Sequence, residues 1–156
     1  MPIWFNKDLK LEDVKKIGIN SMAGHLGIQW LEIGENYIKM SMPVDEKTTQ
    51  PYGILHGGAS CVLAETIGSL ASALVIDMEN FLCVGLEINA NHIKSVKEGS
   101  VVAHCLPLHL GKTTHVWDIK INNADNQLVC VCRLTVAVMP ITDKTRNLAT
   151  LKNFQG

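Results

Sequence analysis

The chain predicts an α+β fold, with one antiparallel sheet and a single long helix. Three observations lead there. Several short runs alternate apolar and polar residues at strand length. One block, Gly57–Ile76, is apolar or small nearly throughout and too long for a strand. The order is hairpin, helix, then a meander of about four strands, unlike the strand–helix alternation of a parallel βαβ sheet.

The elements follow in order. Leu11, Val14 and Ile17 lie at helical spacing, so a short amphipathic helix is predicted over Leu11–Ile17, with Gly18 and Asn20 as stop signals. Ile28–Ile33 and Tyr37–Met42, separated by Gly34-Glu35-Asn36, read as a hairpin. Ile38, Met40 and Met42 alternate with Lys39 and Ser41, which gives it one solvated face. After the apolar block, strands are predicted over Val84–Asn91, Val101–Leu110, Trp117–Asn122 and Leu128–Val138. The turn Asn122–Asn126 joins the last two. From Pro140 the chain turns polar, so residues 1–139 are read as one domain and 140–156 as a tail.

At 156 residues and 47% hydrophobic content the chain can bury a sizeable core, which excludes disorder for its body. Fourteen Lys and Arg oppose 15 Asp and Glu, a formal net charge of −1, which argues against a nucleic-acid partner. The five cysteines include no Cys-x-x-Cys pair and sit among apolar neighbours, so reduced thiols are expected. Met1–Lys10 carries charges without a sustained apolar run, so no signal peptide and a cytoplasmic location are expected.

Gly57–Ile76 has the length of a membrane span, about 20 residues. A mid-helix Glu65 would be costly in lipid, no aromatic girdle flanks the block, and sheet strands lie on both sides of it. The expected burial is inside protein, with a sheet wrapped around the helix and no membrane partner. Its many small residues, among them Ala64, Gly68, Ala71 and Ser72, permit a close neighbour. That neighbour is either the same helix of a second subunit or the sheet itself.

Chemistry concentrates where this helix starts. In Gln50-Pro51-Tyr52-Gly53-Ile54-Leu55-His56-Gly57-Gly58, two glycines after a His leave backbone N–H groups free at a helix N-terminus. Such a terminus favours an anion or a developing oxyanion. Glu65 lies two turns further on, with no Lys or Arg between Pro51 and Lys94. An unpaired buried carboxylate must find a distant partner or serve as a group with a raised pKa. The helix rises roughly 12 Å from Gly57 to Glu65, so one subunit's Glu65 cannot act on a carbonyl held at its own Gly57. If both act on one carbonyl, the second comes from an antiparallel partner helix.

Three stretches carry a family resemblance: Gln50 to Ser60, Val62-Leu-Ala-Glu65-Thr-Ile-Gly-Ser69, and Val84-Gly-Leu-Glu-Ile-Asn-Ala-Asn91-His92. Over about Ile3–Met139 the chain resembles the hotdog-fold acyl-CoA thioesterases with a catalytic Glu on the helix, the phenylacetate-degradation or aryl-CoA branch. It is most similar to bacterial 1,4-dihydroxy-2-naphthoyl-CoA hydrolases and enterobactin-pathway proofreading thioesterases. The resemblance implies a hotdog fold and a homodimer with shared sites, paired into a dimer of dimers. It further implies that the Gly57 N–H polarises the thioester carbonyl, assisted by His56 and Gln50. Glu65 of the other subunit is then nucleophile or general base, Ser69 helps place water, and His92, with Asn91 beside it, lies near the acyl pocket. No cofactor is implied, because coenzyme A is part of the substrate.

Lys94, and Lys112 with Thr113 in the turn His109–His115, are either solvated loops or the grip on the CoA phosphates. No metal site is expected: His104 and His109 lack ligand spacing, and Cys130-x-Cys132 only places two thiols on one strand face. Trp4, Trp30 and Trp117 read as core or interface fillers. A carrier-protein-directed proofreading thioesterase, a hotdog dehydratase and a non-catalytic acyl-CoA-binding protein are the competing functions.

Overall fold

A computed structural model describes residues 1–149. The hairpin is formed by β1 (Gln29–Ile33) and β2 (Ile38–Pro43), followed by the long helix α3 (Gly57–Val75). Four strands follow: β3 (Phe81–His92), β4 (Ser100–Leu110), β5 (Thr114–Asn123) and β6 (Leu128–Pro140). All pair antiparallel in one six-stranded sheet of order β1-β2-β4-β5-β6-β3, and α3 packs against β2 through β6. This is the hotdog fold.

The order corrects the expected meander. β3 does not neighbour β4; it lies beyond β6 at the far edge, and the chain returns across the sheet to set β4 beside β2. The reason is in the side chains. Val101, Ala103 and Cys105 of β4 are fully buried and suit a central strand. Glu87, Asn89 and Asn91 of β3 are exposed and suit an edge.

The short elements also differ from expectation. The first helix, α1, covers only Leu11–Val14, because the Ile17 N–H bonds to the Val14 carbonyl (2.8 Å) and tightens the next turn. A second turn of helix, α2 (Met22–His25), was not predicted; it carries no apolar stripe to announce it and buries no residue. The polar segment after Pro140 opens a further turn, α4 (Arg146–Ala149); residues 150–156 of the expected tail lie outside the described residues.

The core forms where α3 meets the sheet. Leu63 and Ile67 pack with Met40, Met42, Val101, Trp117, Ile119, Ile121 and Leu134, all buried. The burial alternation along β2 and β5 matches the predicted strand period. Trp117 donates its indole N–H to Ser72 Oγ at 2.7 Å, which satisfies two buried polar groups at once. Trp4 is buried as well and donates to the Gly34 carbonyl (2.8 Å), while the Phe5 N–H bonds to the Leu74 carbonyl (2.8 Å). These contacts tie the N-terminal segment to the far end of the helix. All five cysteines are free.

The small residues of α3 resolve the alternative left open by the sequence. Ala64, Gly68, Ala71 and Ser72 are buried on the core side. A Cβ on Gly68 would stand 2.4 Å from Leu134 Cδ2, so the neighbour they admit is the sheet. α3 has the length and composition of a membrane span, but 56% of it is buried within the protein. Gly68→Val should therefore destabilise the fold by about 1–3 kcal/mol through overpacking, read as a lowered thermal midpoint. An unchanged midpoint would mean the helix has slack against Leu134.

Candidate active site

The loop into α3 is held by a buried hydroxyl. Thr48 Oγ1 donates to the Pro43 carbonyl (2.8 Å) and accepts from the Asp45 N–H (3.0 Å). The His56 N–H then bonds to the Thr48 carbonyl (2.8 Å) and the Leu55 N–H to the Val96 carbonyl (2.7 Å). Within that frame Gln50 Oε1 accepts from the Tyr52 N–H (3.2 Å), leaving its NH2 group as the free end of the amide.

His56 caps the helix: its Nδ1 accepts from the Gly58 N–H at 2.8 Å. An accepting Nδ1 places the imidazole proton on Nε2. One N–H of the helix start is thereby satisfied. The Gly57 N–H bonds to nothing among the described residues. Gly57 lines a cleft of about 290 Å³ together with Gln50, Ser60, His92, Lys94 and Ser95. The His92 ring lies directly on this glycine, since a Cβ there would sit 2.8 Å from Nε2. A free backbone donor, a free amide NH2 and an imidazole thus converge on one small volume.

Glu65 lies elsewhere. It is half-buried, makes no hydrogen bond or ion pair among the described residues, and burial pushes its pKa above the ordinary glutamate value. Its carboxylate rests on β3 at Gly85, where a Cβ would stand 2.0 Å from Oε1. Ser69, one turn further, is half-buried, and its carbonyl accepts from the Cys83 thiol at 3.7 Å. Neither Glu65 nor Ser69 lines the Gly57 cleft. The two halves of the expected chemistry are therefore apart within one protomer, as the helix rise required.

The expected binding residues divide as well. Lys94 lines the cleft beside His92. Asn91 is exposed and, by strand alternation, points to the opposite face of β3 from His92. Lys112 and Thr113 are exposed in the β4–β5 turn, where the Thr113 carbonyl accepts from the Val138 N–H (2.9 Å). From Val138 back to Cys130, the register partner of His92, is roughly 27 Å of β6, so this turn sits at the other end of the sheet from Lys94. Two contributors escaped the sequence reading. Gly85 makes room for the Glu65 carboxylate, and a glycine inside a strand pattern was a usable signal of such close approach. Cys130 lies 3.5 Å from His92 Nδ1, a contact between strands that no local pattern announces.

Fold and site together define a thioester hydrolase, and the chain belongs to the thioesterase superfamily, whose sequence pattern matches residues 52–130. Among individual proteins it is similar to the 1,4-dihydroxy-2-naphthoyl-CoA hydrolase of Escherichia coli, at 47% identity over 137 residues, covering 88% of this chain and 99% of that one. The fold matches the crystal structure of a mutant thioesterase from Pseudomonas aeruginosa, with a TM-score of 0.86 and 45% identity over 89% of this chain and 99% of that one. A Staphylococcus aureus protein, solved with a glutamate replaced by alanine, matches with a TM-score of 0.75 and 48% identity over 77% of this chain and 99% of that one. The same protein, described as a thioesterase, was also solved with a glutamine replaced by alanine (TM-score 0.74, 47% identity, 76% and 98% covered). The two replaced positions lie as far apart in that chain as Gln50 and Glu65 do in this one.

Gly85 has no left-handed backbone, so alanine fits its strand conformation and collides only with Glu65. Gly85→Ala is expected to displace the carboxylate and lower thioester turnover about a hundredfold with little change in thermal midpoint. Wild-type turnover in this variant would separate the Glu65 position from activity.

Proposed function

We propose that the protein hydrolyses an acyl-CoA thioester with an aromatic acyl group, 1,4-dihydroxy-2-naphthoyl-CoA of menaquinone synthesis being the first candidate. The observation that carries this reading is a pair of half-sites on one helix, at its N-terminus and at its middle. One is a free Gly57 N–H in a cleft with Gln50 and His92; the other is a partnerless carboxylate laid on Gly85. The thioester carbonyl oxygen sits on the Gly57 N–H, with the Gln50 amide and His56 assisting, and its negative charge grows there as the carbonyl is attacked. Glu65 of the partner subunit takes a proton from water, and the resulting hydroxide adds to the carbonyl carbon. The C–S bond then breaks, the CoA thiolate leaves and is protonated, and the free acid remains. Direct attack by the carboxylate through a mixed anhydride uses the same residues. Ser69 orients the water one turn away. The spacing of the two replaced positions in the Staphylococcus protein supports the choice of Gln50 and Glu65.

The edge strand supports a shared site. Among the described residues β3 pairs only with β6, and Val84 and Leu86 along it are exposed, at 42% and 63%. A long edge with exposed apolar side chains is a template for pairing with a second copy. Antiparallel pairing of two β3 strands sets the Gly85 end of one against the His92 end of the other, which carries each Glu65 toward the opposite Gly57. The same operation moves the Lys112–Thr113 turn of one copy toward Lys94 of the other, giving the CoA phosphates cations from both. Such dimers pair further into a tetramer, and reduced thiols suit a cytoplasmic enzyme. The similarity to the Escherichia coli hydrolase supports the aromatic substrate.

Three outcomes are expected. Glu65→Gln should lower kcat by roughly three orders of magnitude or more without lowering the thermal midpoint, because burial already disfavours the ionised acid. The active form is the ionised one, so kcat/KM should fall as pH drops through the Glu65 pKa, at a midpoint above the ordinary glutamate value of about 4.3. Glu65→Ala and Gly57→Val, each inactive alone, should recover about a quarter of wild-type activity when co-expressed, since half the random dimers hold one intact site. Absence of recovery would place both groups in one protomer. A ranking of kcat/KM by thiol release then decides the acyl group: hexanoyl-CoA above benzoyl-CoA and dihydroxynaphthoyl-CoA would overturn the aromatic assignment.

A further inference from the structure

We infer that Cys130 is a positioning residue for His92, its thiol holding the imidazole against Gly57 in the tautomer that donates from Nε2. The inference rests on the reading of the Gly57 corner as the carbonyl site.

His92 and Cys130 are register partners on β3 and β6, so their side chains stand together on the helix-facing side of the sheet. Cys130 Sγ lies 3.5 Å from His92 Nδ1 and 3.5 Å from Cys132 Sγ. Cys130 is fully buried, whereas the opposite edge of the His92 ring faces Gly57 and the cleft. Cys132 Sγ lies beside this sulfur as well, in a thiol pair where either group can donate. An imidazole nitrogen is a far stronger acceptor than a thiol sulfur, so the Cys130 proton is directed to Nδ1, 3.5 Å away. An Nδ1 that accepts carries no proton, and the ring's single N–H is then Nε2–H.

The direction of this bond fits the chemistry. A carboxylate behind His92 would accept from Nδ1–H or stabilise an imidazolium, the arrangement of a general base. A thiol donates instead and leaves Nε2 as a donor, the polarity that a thioester carbonyl oxygen beside the Gly57 N–H requires. His92 is thus set up to bind and polarise, and the proton-accepting task is left to Glu65. His56, whose Nδ1 also accepts, presents a second Nε2–H at the same helix end.

Side-chain 15N NMR of the substrate-free wild-type protein at about pH 8, where imidazoles are neutral, tests the tautomer directly. His92 is expected to show a protonated Nε2 and an unprotonated Nδ1; the reverse pattern would overturn the inference. Cys130→Ala should give a mixture of tautomers and lower kcat/KM about tenfold, the scale on which outer partners of functional imidazoles act. Cys130→Ser loses the same sulfur volume but keeps a hydroxyl donor, and should recover most of the loss. Equal kcat/KM in the two variants would reduce Cys130 to a packing residue. Because the NMR readout needs no turnover, it stands or falls independently of the Glu65 mechanism, which fails if Glu65→Gln remains active.

Discussion

The structure depends on how closely α3 lies to the sheet. Side chains from two strands reach the helix where glycine removes the Cβ: Leu134 over Gly68 and His92 over Gly57. At Gly85 the relation is reversed, with the helix's own Glu65 lying on a bare stretch of strand. Interiors are packed at near-crystalline density, so each omitted methyl is filled by a neighbour. At Gly68 that neighbour is an apolar core residue. At the other two positions it is a side chain of the candidate site, His92 or Glu65, so close packing also sets where those groups lie.

Polar atoms follow the same economy. A helix driven into an apolar layer has few ways to satisfy its start, and here His56 satisfies the Gly58 N–H while the Gly57 N–H stays open to a cleft. Ser72 and Trp117 satisfy one another deep in the core. Glu65 stands apart from this pattern, half-buried and unpaired among the described residues, with its pKa raised by that burial. An unpaired, half-buried carboxylate costs the fold stability, and such groups concentrate at functional sites.

The sheet's topology then sets how the halves meet. Placing β3 at the edge leaves a strand with one free edge, over Glu65 at one end and beside Gly57 at the other. Had β3 continued a simple meander beside β4, both groups would lie under the middle of a sheet, closed to a second copy. The crossover that departs from the sequence expectation is the feature that leaves the two half-sites open to pairing.

The sequence by itself determined the local elements and the candidate reacting groups. Alternation marked the strands to within a few residues, the apolar block marked α3, and His56-Gly57-Gly58 followed by a lone Glu65 marked the chemistry, because helix ends and buried charges obey short-range rules. The distance between Gly57 and Glu65 was legible too, since helical rise is fixed per residue. Only the tertiary structure decided the strand order, the role of the small residues of α3, the seat of Glu65 on Gly85 and the Cys130 contact with His92. Each of these joins residues far apart in the chain. Such pairings are chosen by which buried surfaces fit, and no local periodicity carries that information.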